Sequence, residues 1–387
     1  MLRKGVFVRL IISIFLFAAG ISTPLLALDT KAKSAIVIDY NTGIVLLEKN
    51  ADQAMPPASM SKLMTLNMVF EALDDGRLSM DDKLPVSEHA MSYGGSTMFL
   101  NTRDKVRVED LIRGVIVLSG NDACAVLAEA LSGSETEFAR AMTVRAKQLG
   151  MTQSSFGNSN GWPHPNQKMS ARDLATLATR LIRDFPHYYG FFSEREFTFD
   201  NRSPANRFNR NPLLKLDIGA DGLKTGHTAE AGYGVVGSAT RNGRRIVLMI
   251  SGLSSDEERA REAEKLVNWA FRQFLEKKIL EAGEEAGEID VWLGKADKVG
   301  LEIANDVDLL LPIEALSGLK GEIQLREPVE APIEKGQVMG RMVIEVPKMP
   351  SVEVDILASD SVERSGLMSR FKLSASQVKR SLLGILD

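Results

Sequence analysis

A serine and a lysine stand three residues apart at Ser59 and Lys62, directly before a stripe of apolar residues with helical spacing. A serine hydroxyl becomes a nucleophile when a neighbouring base takes its proton, and lysine is such a base when it is neutral. The simpler alternative is that Ser59 only caps the helix. The same Ser-x-x-Lys spacing recurs at Ser317, Ser369 and Ser376, so the spacing alone does not identify a catalytic pair.

Two further triplets supply groups that such a pair needs. Ser119-Gly-Asn121 is the only Ser-x-Asn in the chain, and it falls between two apolar segments, where a turn can aim a hydroxyl and an amide at one point. Lys224-Thr225-Gly226 is the only Lys-Thr-Gly, and it offers a cation and a hydroxyl to an anion on a segment with strand character. Three triplets in this order, on helix, turn and strand, are a specific signal of serine acyl-transfer chemistry.

The elements that must position these triplets follow from periodicity. Segments with period two predict strands, and longer segments with apolar residues every three to four positions predict helices. The expected strands are residues 34–39, 44–48, 221–228, 233–239 and 246–251, and the expected helical segments include residues 111–118, 123–131 and an amphipathic run at 261–280. Strands at both ends of this region, with helices between them, predict an α+β domain over residues 28–282.

The chain changes character after that domain. Residues 281–288 are rich in glutamate and glycine, which indicates a linker. Period-two alternation interrupted by prolines then predicts a small antiparallel β domain at residues 284–358. Residues 365–387 place an apolar stripe beside basic residues, which suits a helix lying in a membrane surface. The alternative is an amphipathic helix packed on its own domain.

The N-terminus predicts the destination of the protein. Residues 1–27 begin with two basic side chains, continue into an uncharged apolar run and end in small residues, which is the layout of a secretory signal peptide. An uncleaved membrane anchor is the alternative, although Arg9 shortens the apolar run. Together with the C-terminal segment, this pattern predicts an exported protein on the outer face of the cytoplasmic membrane.

Composition narrows the possible partners. The 387 residues are 44% apolar and 25% charged, as in ordinary globular proteins. The net charge of −4 and the lack of a basic tract mixed with aromatic residues give no reason to expect nucleic acid as a partner. One cysteine, Cys124, and four scattered histidines exclude an internal disulfide and argue against a metal site. We therefore expect no metal and no cofactor, and we assign Cys124 no catalytic role.

The motifs resemble those of the penicillin-recognising serine enzymes. The segments IDYNTGIVLLEKNAD, PASMSKLMT, LIRGVIVLSGNDAC, EFTF, DGLKTGHT and REAEKL narrow the resemblance to the low-molecular-mass penicillin-binding proteins, the D-alanyl-D-alanine carboxypeptidases. The resemblance is close from residue 35 to residue 280 and weaker beyond. It implies a β-lactamase/transpeptidase-like catalytic domain, with an antiparallel sheet and a helical cluster, followed by a β domain and a terminal helix. It also implies removal of the last D-alanine from peptidoglycan stem peptides ending in D-Ala-D-Ala, and acylation by β-lactam antibiotics.

The resemblance implies catalytic roles for the motif residues. Ser59 would be the acylated nucleophile and Lys62 its base, with a pKa depressed by burial and by the neighbouring cation Lys224. Ser119 would relay protons towards the leaving amine. Asn121 would bind a substrate amide.

The same resemblance implies residues that hold the substrate. Thr225 and Arg261, the arginine of the REAE segment, would bind the terminal carboxylate, and Gly226 would leave room for the substrate backbone. The oxyanion hole would consist of the backbone N–H groups of the nucleophile and of His227. Arg210 in FNRN matches a family arginine near the cleft, and its alternative is a surface charge.

Three other functions compete with this interpretation. Gly157-x-Ser159-x-Gly161 matches the motif of Ser-His-Asp hydrolases, but the expected strand before it and helix after it are missing. A β-lactamase of the same fold is a nearer alternative, although the chain lacks the Glu-x-x-Leu-Asn segment that the commonest class uses for deacylation. A non-catalytic cell-wall binding protein is the third, and the three intact motifs argue against it.

Overall fold

The computed structural model describes residues 9–12, 28–202, 204–325, 328–347 and 349–366. The chain forms two units, of which the first ends at Arg272 and the second begins at Gln273. Residues 273–282, which we expected in the first domain, therefore belong to the second unit. Strand β1 (Arg9–Ile12) pairs with a strand of the second unit and is described there.

An antiparallel sheet forms the centre of the first unit. Its five strands lie in the order β3-β2-β8-β7-β6, so β6 is an edge strand. Two short strands, β4 and β5, pair with each other outside this sheet. The strands of this unit are β2 (Ser34–Asp39), β3 (Val45–Lys49), β4 (Lys83–Pro85), β5 (Lys105–Arg107), β6 (Ala220–Thr228), β7 (Gly232–Arg241) and β8 (Arg244–Leu253).

The hairpin between β7 and β8 follows directly from its turn residues. Asn242 and Gly243 have φ angles of 51° and 80°, the left-handed conformation that a type I′ turn requires at both central positions. Arg241 and Arg244 pair on either side of the turn. The predicted hairpin is confirmed.

Helices fill the long connection between β3 and β6, and one more follows β8. Helix α5 is capped by Ser134, whose Oγ accepts the N–H of Glu137 at 3.2 Å, and α6 is capped by Ser170, whose Oγ accepts the N–H of Asp173 at 3.1 Å. The helices are α1 (Lys62–Asp74), α2 (Glu88–Met91), α3 (Val108–Arg113), α4 (Asn121–Ser132), α5 (Glu135–Gln148), α6 (Ala171–Asp184), α7 (Pro186–Tyr189) and α8 (Asp256–Gln273).

Alternation along β8 shows how the sheet separates two apolar cores. Val247 and Met249 face the core formed with the helical cluster α1–α7, whereas Ile246, Leu248 and Ile250 face the core formed with α8. Because successive side chains of a strand point to opposite faces, one apolar run can serve both cores. The sheet therefore packs against an apolar core on each side, within an α+β domain of the class that the sequence predicted.

The predicted helix at residues 261–280 is wrong at both ends. Helix α8 begins at Asp256 and ends at Gln273, and the residues after it form strand β9 (Phe274–Leu280). This strand pairs antiparallel with β12 (Val307–Pro312), so its backbone groups are bonded to a segment distant in sequence. The predicted linker at residues 281–288 is also wrong, because strand β10 (Glu285–Trp292) begins inside it after a short turn.

The described part of the second unit is a β domain, which confirms the predicted fold class there. Its larger sheet has the strand order β1-β13-β15-β16-β11-β10-β14, and β9 pairs with β12 in a second sheet. Its apolar core includes Leu301, Ile303, Ile323 and Ile356. The strands not yet given are β11 (Lys298–Ile303), β13 (Lys320–Leu325), β14 (Val329–Glu330), β15 (Val338–Glu345) and β16 (Val352–Ala358).

Both predicted membrane-related segments lie largely outside the described residues. The terminal helix predicted at 365–387 is described only to residue 366, and the signal peptide predicted at 1–27 only at residues 9–12. Within the part of the chain that the structure describes, no helix is long and apolar enough to cross a membrane.

Candidate active site

Ser59 lies in a tight 3₁₀ turn that leads directly into helix α1. The turn spans Ala58–Ser61, and its first residue has a φ of 48° although it is not glycine. The N-cap position of α1 belongs to Ser61, not to Ser59, so the simple capping alternative does not apply. Instead, the Ser59 hydroxyl accepts a hydrogen bond from Lys62 Nζ at 3.0 Å. The predicted pair is therefore in contact. Ser59 lies in the 3₁₀ turn before α1, whereas we expected it in the first turn of the α-helix.

The ammonium group of Lys62 is enclosed by three acceptors. Besides Ser59, Nζ donates to Asn121 Oδ1 at 2.7 Å and to the backbone carbonyl of Asn160 at 2.5 Å. The side chain has no exposed surface. These three contacts fix the position of the amine with respect to the Ser59 hydroxyl.

Burial gives this lysine an unusual pKa. It lowers the pKa of Lys62 from 10.5 to about 8, and the guanidinium of Arg210 acts in the same direction. The second amine, Lys224, is also buried, and its pKa is lowered well below the usual range by burial and then by the charge of Lys62. Burial lowers the pKa of Lys62, as predicted. The cation that lowers it further is Arg210, not Lys224 as expected.

The Ser-Gly-Asn triplet forms the turn between a π-helical segment and α4. Gly114–Leu118 is wound as a π-helix, and Ser119 ends it in the left-handed conformation with φ 60° and ψ 36°. The Asn121 side chain is held at both ends, because Oδ1 accepts from Lys62 and Nδ2 donates to the Gly94 carbonyl at 2.9 Å. Asn121 therefore positions the Lys62 amine, a contact that sequence reasoning missed.

Edge strand β6 carries the third triplet against the turn Ala58–Ser61, which we call the Ser59 turn. A Cβ at Gly226 would lie 2.9 Å from the Pro57 carbonyl oxygen and 3.2 Å from the Ala58 Cβ. Glycine is therefore needed here for the close approach of the strand to the Ser59 turn. The ring of His227, next along the strand, stacks on Tyr233 with a centroid separation of 3.9 Å.

A cleft of about 470 Å³ opens between these elements. Its wall brings together most of the residues that the sequence predicted, including Ser59, the hydroxyls of Ser119 and Thr225, and Arg210. Arg210 is held there by hydrogen bonds to Ser96 Oγ at 2.6 Å and Asn206 Oδ1 at 2.8 Å. The lining residues are Ser59, Ser96, Ser119, Phe208, Asn209, Arg210, Lys215, Thr225, Gly226, His227, Tyr233, Asp256 and Arg259.

The arginine of α8 that reaches this cleft is Arg259, whereas Arg261 is exposed and lies outside the lining. Residues two apart on a helix point about 200° apart, so only one of them can face the cleft. Arg259 is 4% exposed and donates to the Arg210 carbonyl at 3.2 Å and to the carboxylate of Asp256. The expectation for Arg261 is corrected. The signal was present in the sequence, because Arg259 shares the helical stripe of Ala263, Leu266 and Ala270.

Comparisons with known proteins agree with this arrangement. The family model of the D-alanyl-D-alanine carboxypeptidases matches residues 21–254, and that of the penicillin-binding protein 5 C-terminal domain matches residues 274–364. The chain belongs to this carboxypeptidase family. It is 37% identical over 348 residues to the D-alanyl-D-alanine carboxypeptidase DacC of Escherichia coli, covering 88% of this chain and 86% of that protein.

Solved structures of the family share the fold. Penicillin-binding protein 5 from Haemophilus influenzae is 36% identical with a TM-score of 0.69, covering 89% of this chain and 100% of that chain. Penicillin-binding protein D2 from Listeria monocytogenes, in its ampicillin-bound form, is 33% identical with a TM-score of 0.57, covering 63% of this chain and 99% of that chain. The predicted family, fold class and enzyme class are confirmed.

The Gly157-x-Ser159-x-Gly161 segment does not form the nucleophile elbow of a Ser-His-Asp hydrolase. Ser159 lies in a loop, without exposed surface, and its Oγ donates to Glu135 Oε1 at 2.5 Å. A nucleophile elbow would instead present an exposed hydroxyl between a strand and a helix.

Cys124 is buried in α4, where burial raises the pKa of its thiol to about 12, which is the behaviour of an inert packed cysteine.

Proposed function

We propose that the protein removes the terminal D-alanine from peptidoglycan stem peptides ending in D-Ala-D-Ala, through an acyl-enzyme on Ser59, and that β-lactams acylate the same hydroxyl. The observation that carries this proposal is the contact between Lys62 Nζ and Ser59 Oγ at 3.0 Å, made by a buried amine whose pKa is about 8. A neutral amine at hydrogen-bond distance is what a serine needs for activation.

In the acylation step, Lys62 takes the proton of Ser59 as Oγ bonds to the carbonyl carbon of the penultimate D-alanine. Backbone N–H groups of Ser59 and His227 would stabilise the negative oxygen of the tetrahedral intermediate. The bond from that carbon to the leaving nitrogen then breaks, and the proton held by Lys62 passes through the hydroxyl of Ser119, which lines the cleft, to the departing amine. In the second step, water supplies the hydroxyl that cleaves the ester and restores the proton of Ser59.

The basic side chains in and beside the cleft suit a substrate with a free carboxylate. Lys224, Thr225 and Arg259 would bind it, with Arg210 contributing from the same wall of the cleft. A bound anion favours the protonated form of Lys224. An extended substrate can also add to the free edge of β6 by backbone hydrogen bonds.

We further propose that the protein acts outside the cytoplasmic membrane. Its support is the signal-peptide layout of residues 1–27 and the basic-edged apolar stripe of residues 365–387. The chain would be exported, and its last segment would lie in the outer surface of the membrane.

The proposal is tested with a fluorescent penicillin and with a peptide ending in D-Ala-D-Ala. We expect one covalent adduct, located on Ser59 by mass spectrometry, and release of one D-alanine per peptide. Ser59→Ala should abolish both, whereas Ser317→Ala, from a Ser-x-x-Lys copy in the second unit, should change neither. Equal cleavage of the same peptide amidated at its C-terminus would contradict the carboxypeptidase assignment, and an adduct on another serine would contradict the mechanism.

A further inference from the structure

Glu135 is a buried carboxylate outside the cleft wall, at the first position of helix α5. Only 7% of its side chain is exposed. Its Oε1 accepts the backbone N–H of Ser159 at 3.0 Å and the Ser159 hydroxyl at 2.5 Å. Its Oε2 accepts the Tyr93 hydroxyl at 2.6 Å and contacts His89 Nε2 at 2.7 Å. A carboxylate with this number of partners holds a loop in one position.

The loop that Glu135 holds is residues 158–162, which we call the anchor loop. It contains no regular secondary structure, so side chains supply its internal bonds. Asn158 Oδ1 accepts the N–H of Gly161 at 2.8 Å, and Asn158 Nδ2 donates to the Trp162 carbonyl at 2.9 Å. Asn160 Oδ1 accepts the N–H of Trp162 at 2.9 Å.

The anchor loop contacts the catalytic elements on its other side. Its Asn160 carbonyl accepts from Lys62 Nζ at 2.5 Å, and its Ser159 carbonyl accepts from Thr65 Oγ1, one turn along α1, at 2.5 Å. A Cβ at Gly161 would lie 2.0 Å from the Ala58 carbonyl oxygen, so the loop backbone packs directly on the Ser59 turn. A displacement of the loop would therefore move the base and the nucleophile.

We propose that Glu135 is a positioning residue for the reaction, which fixes the anchor loop so that the Asn160 carbonyl holds the Lys62 amine against Ser59. This inference rests on the proposed function of Lys62 as base. Glu135 does not touch the nucleophile, and it acts through Ser159 and Asn160.

The charge of Glu135 gives the proposal a readout that packing alone would not affect. Burial has the largest effect on Lys62 and lowers its pKa, Arg210 lowers it further, and the carboxylates of Asp122 and Glu135 raise it. Burial acts to raise the pKa of Glu135 itself, but hydrogen bonds from Ser159, Tyr93 and His89 outweigh it and keep that pKa below its usual value. Removing this negative charge should lower the pKa of Lys62, so that Lys62 becomes neutral at lower pH.

The test compares Glu135→Gln and Glu135→Ala with wild type in the rate constant of acylation by a fluorescent penicillin from pH 6 to pH 10. At pH values where Lys62 is neutral in both proteins, Glu135→Ala should lose about 10²-fold, because a loop shift of about 1 Å misplaces the base. Glu135→Gln keeps an acceptor for Ser159 and should lose much less. The acid limb of its profile, the rise of the acylation rate constant with pH as Lys62 loses its proton, should move to lower pH.

Asp173 provides a matched control. It is 5% exposed, lies in the first turn of α6, and accepts the N–H of Gln153 at 2.9 Å and the Ser154 hydroxyl at 2.7 Å, without contacting Lys62. Asp173→Ala should lower the melting temperature and leave the acylation rate constant of the folded enzyme unchanged. If Glu135→Ala and Asp173→Ala reduce the rate equally at equal loss of stability, the positioning role is refuted.

The outcome remains decisive where Glu135→Ala does not fold. An acid limb of Glu135→Gln that coincides with wild type would then overturn the proposal, and a limb at lower pH would support it. Ser159→Ala supplies a second comparison, because its effect should be smaller in the Glu135→Gln background than in wild type if both act through one loop. Failure of wild type and Asp173→Ala to form an adduct on Ser59 would indicate that the proposed function, not the role of Glu135, is wrong.

Discussion

Replacing Lys62 with methionine tests whether a buried amine of lowered pKa serves the reaction. Lys62 has no exposed surface, and burial lowers its pKa from 10.5 to about 8. Methionine fills a similar volume but cannot accept a proton. We therefore expect Lys62→Met to lose acylation at every pH, and we expect the stability difference between the two proteins to change with pH.

The direction of that change follows from proton linkage. The unfolded lysine keeps its proton up to about pH 10.5, whereas the folded one releases it near pH 8, so the unfolded state binds more protons between these values. The lysine therefore destabilises the fold by about 3 kcal/mol at pH 7 and by about 1 kcal/mol at pH 10. Relative to Lys62→Met, the wild type should gain about 2–3 kcal/mol in free energy of unfolding between pH 7 and pH 10.

The lost hydrogen bonds do not obscure this result. Lys62→Met leaves Asn121 Oδ1 and the Asn160 carbonyl without their donor, at a cost of about 1–3 kcal/mol each. That cost hardly varies with pH, because neither acceptor titrates in this range. The change in the stability difference between two pH values therefore isolates the charge of Lys62.

Urea unfolding of both proteins at pH 7, 8, 9 and 10 measures the difference, with the exposed Lys147→Met as control. In parallel, acylation of the wild type should rise about fivefold from pH 7 to pH 8, because the neutral fraction of Lys62 rises from roughly one-tenth to one-half. A stability difference that stays constant from pH 7 to pH 10 would refute the assignment of Lys62 as a base made available by burial.

Three further predictions address the cleft and the C-terminal segment. Arg259→Ala should lower kcat/KM for the D-Ala-D-Ala peptide by about 10- to 100-fold, the worth of a charge-assisted hydrogen bond, while Arg261→Ala should have little effect on the same assay. Gly226→Ala should slow penicillin acylation about tenfold, because a Cβ there would lie 2.9 Å from the carbonyl oxygen of Pro57, directly before the Ser59 turn. Gly190→Ala, where a Cβ meets nothing within 4 Å, is the matched control, and equal rates in the two variants would contradict this reasoning. Deleting residues 365–387 should release the enzyme from membranes without changing its turnover of small peptides, and continued sedimentation with membranes would show that this segment is not the anchor.

The sequence predicted the parts of the site that local geometry controls. Ser59 and Lys62 come within reach of each other because three residues make one helical turn, and distant groups then fix the amine against the hydroxyl. The hairpin between β7 and β8 is equally local, since Asn242 and Gly243 accept the left-handed conformation that its turn requires. The order of the three triplets indicated the penicillin-recognising serine enzymes, and further segments narrowed the resemblance to the carboxypeptidase family.

The structure alone decided which distant groups complete the site. Spacing did not reveal that the Asn160 carbonyl contacts Lys62 across 98 positions of sequence, nor that Glu135 holds the loop that carries it. It also did not separate Arg259 from Arg261, because the register of a helix on its core decides which side chain faces the cleft. Phe274–Leu280 looked helical by its own pattern and became a strand because β12 bonds its backbone. Each of these outcomes depends on backbone pairing or burial against residues far along the chain, and the periodicity of a segment carries no record of those partners.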